Sequence, residues 1–255
     1  MPLTVLTVPC LADNYAYVIA DPATGEAAVV DIPEAKPINA VLAENGWTLS
    51  TVLITHHHAD HVHGLGDLAG AANANVIGAA ADAHRLPALT QQVADGDQFS
   101  VLGETVDVMD VSGHTLGHIA FYMPGINHVF TADSLMALGC GRLFEGTAAQ
   151  MWQSLSKLRA LPDETVVCSG HEYTAANAKF AVTVDPDNPQ LMSRQEAIVA
   201  SRLENTPTVP SLLREEKQTN PFLRPDDPAI RAHLGMENAD DTAVFAEIRA
   251  RKDRF

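Results

Sequence analysis

Residues 55–64, with the sequence THHHADHVHG, constrain this chain more than any other segment. They place five of the eleven histidines and one aspartate between positions 56 and 63, directly after the β-branched run STVLIT. A tag remnant does not explain an internal cluster, and a solvated loop does not explain its density. The spacing also fails the helical zinc motif H-E-x-x-H, because His58 stands where that motif needs glutamate. A metal site built on a loop is therefore the favoured interpretation.

The order of the residues in this loop suggests two metal positions. Side chains alternate along an extended strand, so His56 and His58 at the strand end point to the same side and can share one metal ion. Asp60 and His61 are adjacent on the turn that follows and can be directed toward a second ion. Two metal ions need more ligands than these four residues supply.

Three further candidate ligands each follow a strand-like run elsewhere in the chain. They are His114 in DVSGHTLGH, Asp133 in VFTADSL and His171 in VVCSGHEY. Imidazole and carboxylate ligands without thiolate suit zinc, iron or manganese. The carboxyl ends of strands are also where α/β proteins build their sites.

The pattern along the chain predicts a mixed α/β fold followed by a helical segment. Strand-like runs are LTVLTV, YAYVIA, AAVVDI, STVLIT, ETVDVMDV, IAFYM, HVFTA and TVVCSG, with helices expected near residues 34–45 and 148–161. Beyond Tyr173, NPQLMSRQEAIVASRLEN and DDTAVFAEIRARKDRF show apolar residues at helical spacing. We therefore predict a catalytic domain over residues 1–172 and a smaller helical domain over residues 173–255.

The composition limits the cellular compartment and the classes of binding partner that we expect for this protein. The formal net charge of -16 makes nucleic acid and anionic membranes unfavourable partners, because phosphate binding needs a basic surface. We read no apolar membrane span and no basic leader before the first apolar residues, and we expect a cytoplasmic protein. Three cysteines, an odd number, fit reduced thiols better than a disulfide framework. Basic residues are concentrated in the closing RARKDRF.

Taken together, THHHADH, GHTLGH, TADSL and GHEY resemble, in that order, the metallo-β-lactamase superfamily. The triple histidine, GCGRLFEGT and the ending NPFLRP…RARKDRF resemble its glyoxalase II branch, the hydroxyacylglutathione hydrolases. The resemblance covers nearly the whole chain. It implies an αββα sandwich with metals at one edge and a smaller C-terminal helical domain.

The resemblance also implies a set of seven ligands for two divalent metal ions. One ion is expected on His56, His58 and His114, a second on Asp60, His61 and His171, with Asp133 bridging both. Zinc is the first expectation, with iron or manganese as alternatives. Asp31 in AAVVDI matches a superfamily aspartate that supports the ligand loop, although a plain turn residue explains it equally well. His57, His63 and His118 are left outside the ligand set, with His118 expected to brace the GHTLGH turn.

Seven protein ligands for two ions leave open positions, which is typical of a catalytic site. Water shared between the ions becomes hydroxide near neutral pH, and we expect Asp60 to orient this metal-bound hydroxide. Two divalent ions, two ligand carboxylates and one hydroxide leave a local charge of about +1, which tolerates an anionic substrate. No G-x-S-x-G nucleophile motif is present.

The resemblance implies that the substrate is the thioester S-D-lactoylglutathione, hydrolysed to D-lactate and glutathione. Five residues match substrate-binding positions of the branch, namely Arg142, Phe144, Tyr173, Arg249 and Lys252. Many relatives have lysine and tyrosine where this chain has Arg142 and Phe144, so the contacts to the peptide are expected to differ. Basic residues in a last helical turn can instead serve only to offset the helix dipole. We expect a monomer.

Three other functions stay open on sequence alone. A persulfide dioxygenase of the same superfamily would hold one iron on His56, His114 and Asp133. A lactonase or β-lactamase is disfavoured by the helical tail. A glutathione or metal sensor without catalytic activity is disfavoured because all seven ligands are intact.

Overall fold

The computed structural model describes residues 2–255, and the chain divides into two compact units. Unit 1 contains the chain up to Asp110 together with Leu116–Ala132. Unit 2 contains Val111–Thr115 and Asp133–Phe255. The predicted boundary at residue 172 concerns separate folding domains and stays a prediction.

Unit 1 contains ten strands and two α-helices. The strands are β1 Thr4–Cys10, β2 Asn14–Ala20, β3 Glu26–Val30, β4 Thr48–Leu53, β5 Asn75–Ala79, β6 Gln91–Val93, β7 Gln98–Val101, β8 Glu104–Asp110, β9 Ile119–Met123 and β10 His128–Ala132. The helices are α1 Ala35–Asn45 and α2 Ala59–Val62. β1 to β6 form one sheet in chain order, antiparallel from β1 to β3 and parallel from β3 to β6. β7 to β10 pair antiparallel in chain order.

The strands β2 and β3 of the first sheet are buried on both faces, which explains their near-continuous apolar runs. Every residue of β2 is buried. Val18 on one face belongs to a core that also contains Ile38 and Leu42 of α1. Tyr17 on the opposite face meets Phe130 of β10, with ring centroids 5.6 Å apart. Unit 1 therefore contains a helix layer, a sheet and the strands of a second sheet stacked in that order.

Unit 2 is mainly helical. Its strands are the hairpin β11 Leu135–Met136 and β12 Gly139–Cys140, and the pair β13 Val166–Ser169 and β14 Ser211–Leu212. Its helices are α3 Ala148–Arg159, α4 Thr174–Val184, α5 Pro189–Leu203, α6 Leu213–Thr219, α7 Pro228–Leu234 and α8 Asp241–Arg254. Side-chain caps define several starts: Thr147 and Gln150 form a reciprocal capping box on α3, and Asn188 caps α5.

The apolar faces predicted for the two long C-terminal helices are confirmed for most of their length. Val244, Phe245 and Ile248 of α8 are fully buried. Leu191 and Ile198 of α5 are buried as well. Leu203, the last apolar residue of the NPQLMSRQEAIVASRLEN run, is 80% exposed. Leu203 is the last residue of its helix, beyond the buried core of α5.

The predicted mixed α/β architecture with a helical C-terminal region is confirmed. IAFYM and HVFTA match β9 and β10 residue for residue, and the other runs lie within about two residues of a strand. The strands β5, β6, β7, β11, β12 and β14 and the helices α2, α4, α6 and α7 were not predicted individually. Across residues 2–255, none of the helices combines the length and the apolar character that crossing a membrane requires.

Candidate metal centre and substrate site

The histidine loop follows β4 in an extended conformation. β4 ends at Leu53, and residues 54–58 carry the chain to the single helical turn α2. His56 is fully buried and His58 is half-buried, with their ring centroids 4.8 Å apart. The loop therefore holds these two imidazoles close together.

Asp31 organises the base of this loop from the end of β3. Its carboxylate accepts hydrogen bonds from the Thr55 backbone N–H at 2.9 Å and from Thr55 Oγ1 at 2.8 Å. Asp31 Oδ2, the oxygen that accepts from Thr55 Oγ1, also lies 2.8 Å from His61 Nδ1. Asp31 is 3% exposed and adopts a φ of 55°, a conformation that most residues other than glycine avoid. The backbone is thus strained at a residue that touches a candidate ligand.

The hydrogen bonds around Asp31 assign the proton positions of two candidate ligands. Thr55 Oγ1 gives its hydrogen to Asp31, so its contact of 3.0 Å with His56 Nδ1 needs that nitrogen to be the donor. His61 Nδ1 likewise donates to the Asp31 carboxylate. In both imidazoles Nε2 is then the nitrogen with a lone pair. A metal-binding histidine that donates its other N–H to an oxygen has this arrangement.

Unit 2 brings its three candidate ligands together around one carboxylate oxygen. His114 Nε2 lies 3.4 Å and His171 Nε2 lies 3.3 Å from Asp133 Oδ2. His114 Nδ1 donates to the backbone carbonyl of Arg142 at 2.8 Å, which again leaves a lone pair on Nε2. The side chains of these ligands are 8% exposed or less.

Close packing against the candidate ligands explains the second glycine of the segment GCGRLFEGT, Gly141. Gly141 lies so close to the ligands that an added Cβ would meet the Asp133 carbonyl oxygen at 1.9 Å and His114 Nδ1 at 3.0 Å. Only glycine allows that approach. The glycine in turn lets the next residue, Arg142, present its carbonyl to His114.

These residues fit a divalent metal ion. The donors are imidazole nitrogens and carboxylate oxygens, and His56, His61 and His114 each donate their Nδ1 hydrogen to an oxygen. Such oriented donors are typical of a site that binds zinc, iron or manganese. Each of the two units therefore carries histidine and aspartate donors of the kind that bind divalent metal ions.

Two aromatic residues on the predicted substrate side lie against ligand histidines. The Tyr173 ring stacks on His171, with centroids 4.7 Å apart and ring planes 6° apart. The Phe144 ring meets His114 edge to face at 5.2 Å. Phe144 is 61% and Tyr173 is 40% exposed, so both can contact a molecule in solvent.

Arg142 and Arg249, two of the three cationic residues predicted for substrate binding, share one carboxylate. Asp253 Oδ1 lies 2.8 Å from the buried Arg249 guanidinium and 3.8 Å from the exposed Arg142. Arg249 also donates to the Cys140 carbonyl at 3.0 Å. Arg249 therefore ties α8 to the β11–β12 hairpin in addition to any role toward substrate.

Lys252 lies in an aromatic setting one turn before the end of the chain. Its Nζ lies 5.2 Å from the Phe180 ring centroid and 5.3 Å from that of Phe255. The same nitrogen donates to the Ala176 carbonyl at 3.2 Å. Burial, with the neighbouring Arg249 charge, lowers the pKa of Lys252 to about 8. Its charge therefore changes within the range in which enzymes are commonly assayed.

The two histidines beside the ligands that were left outside the set have other contacts. His118 is fully buried, its Nδ1 lies 3.1 Å from the Ile119 carbonyl, and its ring stacks on His56 at 4.5 Å. His57 Nδ1 lies 3.1 Å from Asp82, whose other oxygen accepts from Arg85. Sequence reasoning missed Asp82, because an isolated aspartate carries no motif.

Cys10, Cys140 and Cys168 are all buried, and none of them is part of a disulfide bond. Burial raises the pKa of Cys10 and of Cys140 to about 11, and raises that of Cys168 well above its usual value. Thiols held in the neutral form are poor nucleophiles.

Comparison with known proteins decides the family. The family model described as Metallo-beta-lactamase superfamily matches residues 13–171, and the one described as Hydroxyacylglutathione hydrolase C-terminus matches residues 172–255. A hydroxyacylglutathione hydrolase of Roseobacter denitrificans is 66% identical, and one of Ruegeria pomeroyi is 62% identical, each over 255 residues and the whole of both chains. The chain belongs to the hydroxyacylglutathione hydrolase family.

The fold comparison agrees with the assignment to the hydroxyacylglutathione hydrolase family. The crystal structure of the BLEG-1 B3 metallo-beta-lactamase superposes with a TM-score of 0.67 at 19% identity, covering 87% of this chain and all of that one. The predicted αββα metallo-β-lactamase fold is thereby confirmed. As a member of the hydroxyacylglutathione hydrolase family, the protein is an enzyme, and the predicted resemblance is confirmed.

Proposed function

We propose that the protein hydrolyses S-D-lactoylglutathione to D-lactate and glutathione, the thioester step of methylglyoxal detoxification. The observation that carries this proposal is the 66% identity, over the whole chain, to the hydroxyacylglutathione hydrolase of Roseobacter denitrificans. The oriented histidines and aspartates described above support it, because they supply the ligands that such a reaction needs.

We propose two divalent ions for this chain. One is assigned to His56, His58 and His114, the other to Asp60, His61 and His171, and Asp133 is assigned to both. The convergence of His114 and His171 on one oxygen of Asp133 supports a shared carboxylate. Zinc is the favoured metal, and iron or manganese suits the same donors.

The ions, when bound, lower the pKa of water and polarise the thioester carbonyl. The protein's own contribution is orientation. We assign to Asp60, whose side chain is 41% exposed, the role of directing the attacking water. A C–O bond forms as the C–S bond breaks, and glutathione leaves as a thiolate that is protonated by solvent. The raised pKa values of the cysteines support a mechanism without a thiol nucleophile.

Substrate recognition is assigned to the aromatic and cationic residues beside the ligands. Phe144 and Tyr173 are assigned to contact the peptide of glutathione near the thioester, and their exposure supports that role. Arg142, Arg249 and Lys252 are assigned to bind its carboxylates, and the shared contact of Arg142 and Arg249 with Asp253 supports a common binding region for these two. The formal charge of -16 supports a small-molecule substrate over nucleic acid or membrane. We further propose a monomer in the cytoplasm.

A thiol-release assay on the purified protein tests this function. We expect release of glutathione from S-D-lactoylglutathione that stops when a chelator removes the metal and returns when zinc is added. Elemental analysis should give close to two ions per chain. No metal-dependent release would overturn the proposal. One iron per chain with oxygen consumption would indicate a persulfide dioxygenase instead, and glutathione binding without turnover would indicate a sensor.

A pair of histidine variants sharpens the assay. His171→Ala removes a proposed ligand and should lower both metal content and turnover. His84→Ala removes an exposed histidine that is outside the proposed ligand set and should leave both unchanged. Equal metal content in the two variants would contradict the ligand assignment.

A further inference from the structure

Asn14, the first residue of β2, is joined to Asp60 by two hydrogen bonds. Its side-chain Nδ2 donates to the Asp60 carbonyl at 3.1 Å and to Asp60 Oδ2 at 3.0 Å. Both hydrogens of one amide thus go to a single residue 46 positions away. Asn14 is only 4% exposed, so the donor itself is held within the fold.

The oxygen that Asn14 holds is the one that faces a neighbouring candidate ligand. Asp60 Oδ2 lies 3.7 Å from His61 Nε2. Asp60 sits on α2, a helix of four residues, and its side chain is 41% exposed. A half-exposed carboxylate on one helical turn has several rotamers available. The bond from Asn14 selects the rotamer that points Oδ2 toward the His61 nitrogen.

We propose that Asn14 is a positioning residue for the metal centre: it fixes the Asp60 carboxylate so that Oδ2 is presented beside His61 Nε2. The inference rests on the proposed function only in taking Asp60 as a metal ligand. Hydrogen bonds to ligating carboxylates orient them, and their loss typically lowers metal affinity or activity by about 10-fold to 100-fold.

The chemistry of the contact explains why an amide is needed. Both acceptors are oxygens, so the residue at position 14 must offer two N–H or O–H donors. Asparagine offers two on one nitrogen. Leucine has a similar bulk but offers none. Asn14→Leu therefore keeps much of the packing while removing the donors, and Asn14→Ala removes both.

The matched control is Asn39→Ala. Asn39 also joins two segments of unit 1 through its amide, donating to the Asp67 carbonyl at 3.0 Å and accepting from the Ala69 N–H at 2.8 Å. None of those residues is a proposed ligand. Loss of stability through a missing interloop amide should appear in both Asn14 and Asn39 variants. Loss of metal positioning should appear only in the Asn14 variants.

The experiment compares Asn14→Ala, Asn14→Leu and Asn39→Ala in the full chain. For each we would measure the melting temperature of the metal-free protein, metal affinity by chelator competition, the visible spectrum of the cobalt-substituted protein, and kcat and KM at saturating metal. For both Asn14 variants we expect the affinity for one of the two ions to fall by about 10-fold to 100-fold. We also expect an altered cobalt spectrum and a lower kcat with little change in KM.

The proposal is overturned if a folded Asn14 variant matches Asn39→Ala in metal affinity, cobalt spectrum and kcat. If Asn14→Ala fails to fold, Asn14→Leu decides by the same criteria. Failure of the wild-type protein to hydrolyse S-D-lactoylglutathione would remove the proposed function, while the metal affinities and cobalt spectra would still test the role of Asn14.

Discussion

His61 Nδ1 donates to Asp31 Oδ2 across 2.8 Å, with the His61 side chain fully buried and that of Asp31 only 4% exposed. The pairing fixes the imidazole ring and leaves its Nε2 lone pair for another partner. The same carboxylate anchors Thr55 at the start of the histidine loop. One aspartate at the end of β3 therefore sets both the position of the loop and the orientation of a ligand on it.

Replacement of Asp31 should weaken metal binding. In Asp31→Asn the carboxylate that accepts from His61 becomes an amide, and we expect about 10-fold to 100-fold lower affinity for the ion assigned to His61. Chelator competition measures that affinity. Asp82→Asn is the matched control, because Asp82 is equally buried and accepts from a histidine, His57, that is not a proposed ligand. Equal losses in the two variants would argue against a specific role for Asp31.

Glu216 should be a main determinant of stability in unit 2. This fully buried carboxylate accepts from the Leu138 N–H at 2.9 Å, Ser211 Oγ at 2.7 Å and Asn220 Nδ2 at 3.1 Å, and it pairs with Arg194. Removing one partner of a buried ion pair costs about 3–5 kcal/mol, because the other charge stays buried. We expect Glu216→Ala to lower the free energy of unfolding by that amount in urea denaturation.

The neighbouring residue provides the control for Glu216. Glu215 is exposed, and its substitution by glutamine should change the free energy of unfolding by no more than about 0.5 kcal/mol. A loss in Glu216→Ala as small as that would show that the buried network does not carry the stability assigned to it.

The sequence predicted the elements whose signal is local. The mainly apolar runs at residues 119–123 and 128–132 predicted strands with the correct ends, because short apolar stretches are typical of buried strands. β6, with the sequence QQV, has one buried residue and no such run, so periodicity could not find it. β5 is five residues long and contains Gly78, which weakens the strand signal.

In the candidate site, too, the residues with a local sequence signal were predicted and those without one were not. The ligand loop was visible because its histidines are close in sequence, and Asp133 because it follows a strand. The roles of Asn14 and Asp82 were not predicted. Asn14 contacts Asp60 across 46 positions and Asp82 contacts His57 across 25 positions, and neither residue belongs to a spacing motif. Such contacts depend on how distant segments pack in the folded chain, and the local pattern of a single sequence does not determine that packing.

Phe144→Tyr should improve binding of a glutathione thioester. Phe144 is 61% exposed beside His114, and a phenolic hydroxyl there can donate to a peptide carbonyl. One net hydrogen bond contributes about 0.5–1.5 kcal/mol, which corresponds to a decrease in KM of about twofold to tenfold. Steady-state kinetics would measure it. Tyr173→Phe removes the other phenol and should raise KM, so a shift of both variants in the same direction would contradict the assignment.

Lys252 should make substrate binding depend on pH. Burial lowers its pKa to about 8, so the side chain is cationic below that pH and neutral above it. If Lys252 binds a glutathione carboxylate, KM should rise as the pH passes through about 8, after correction for spontaneous thioester hydrolysis. Arginine keeps its charge throughout this range, so Lys252→Arg should hold a flatter KM between pH 7 and pH 9. An identical rise in KM for both proteins would place the titrating group elsewhere, and a flat wild-type profile would remove Lys252 from substrate binding.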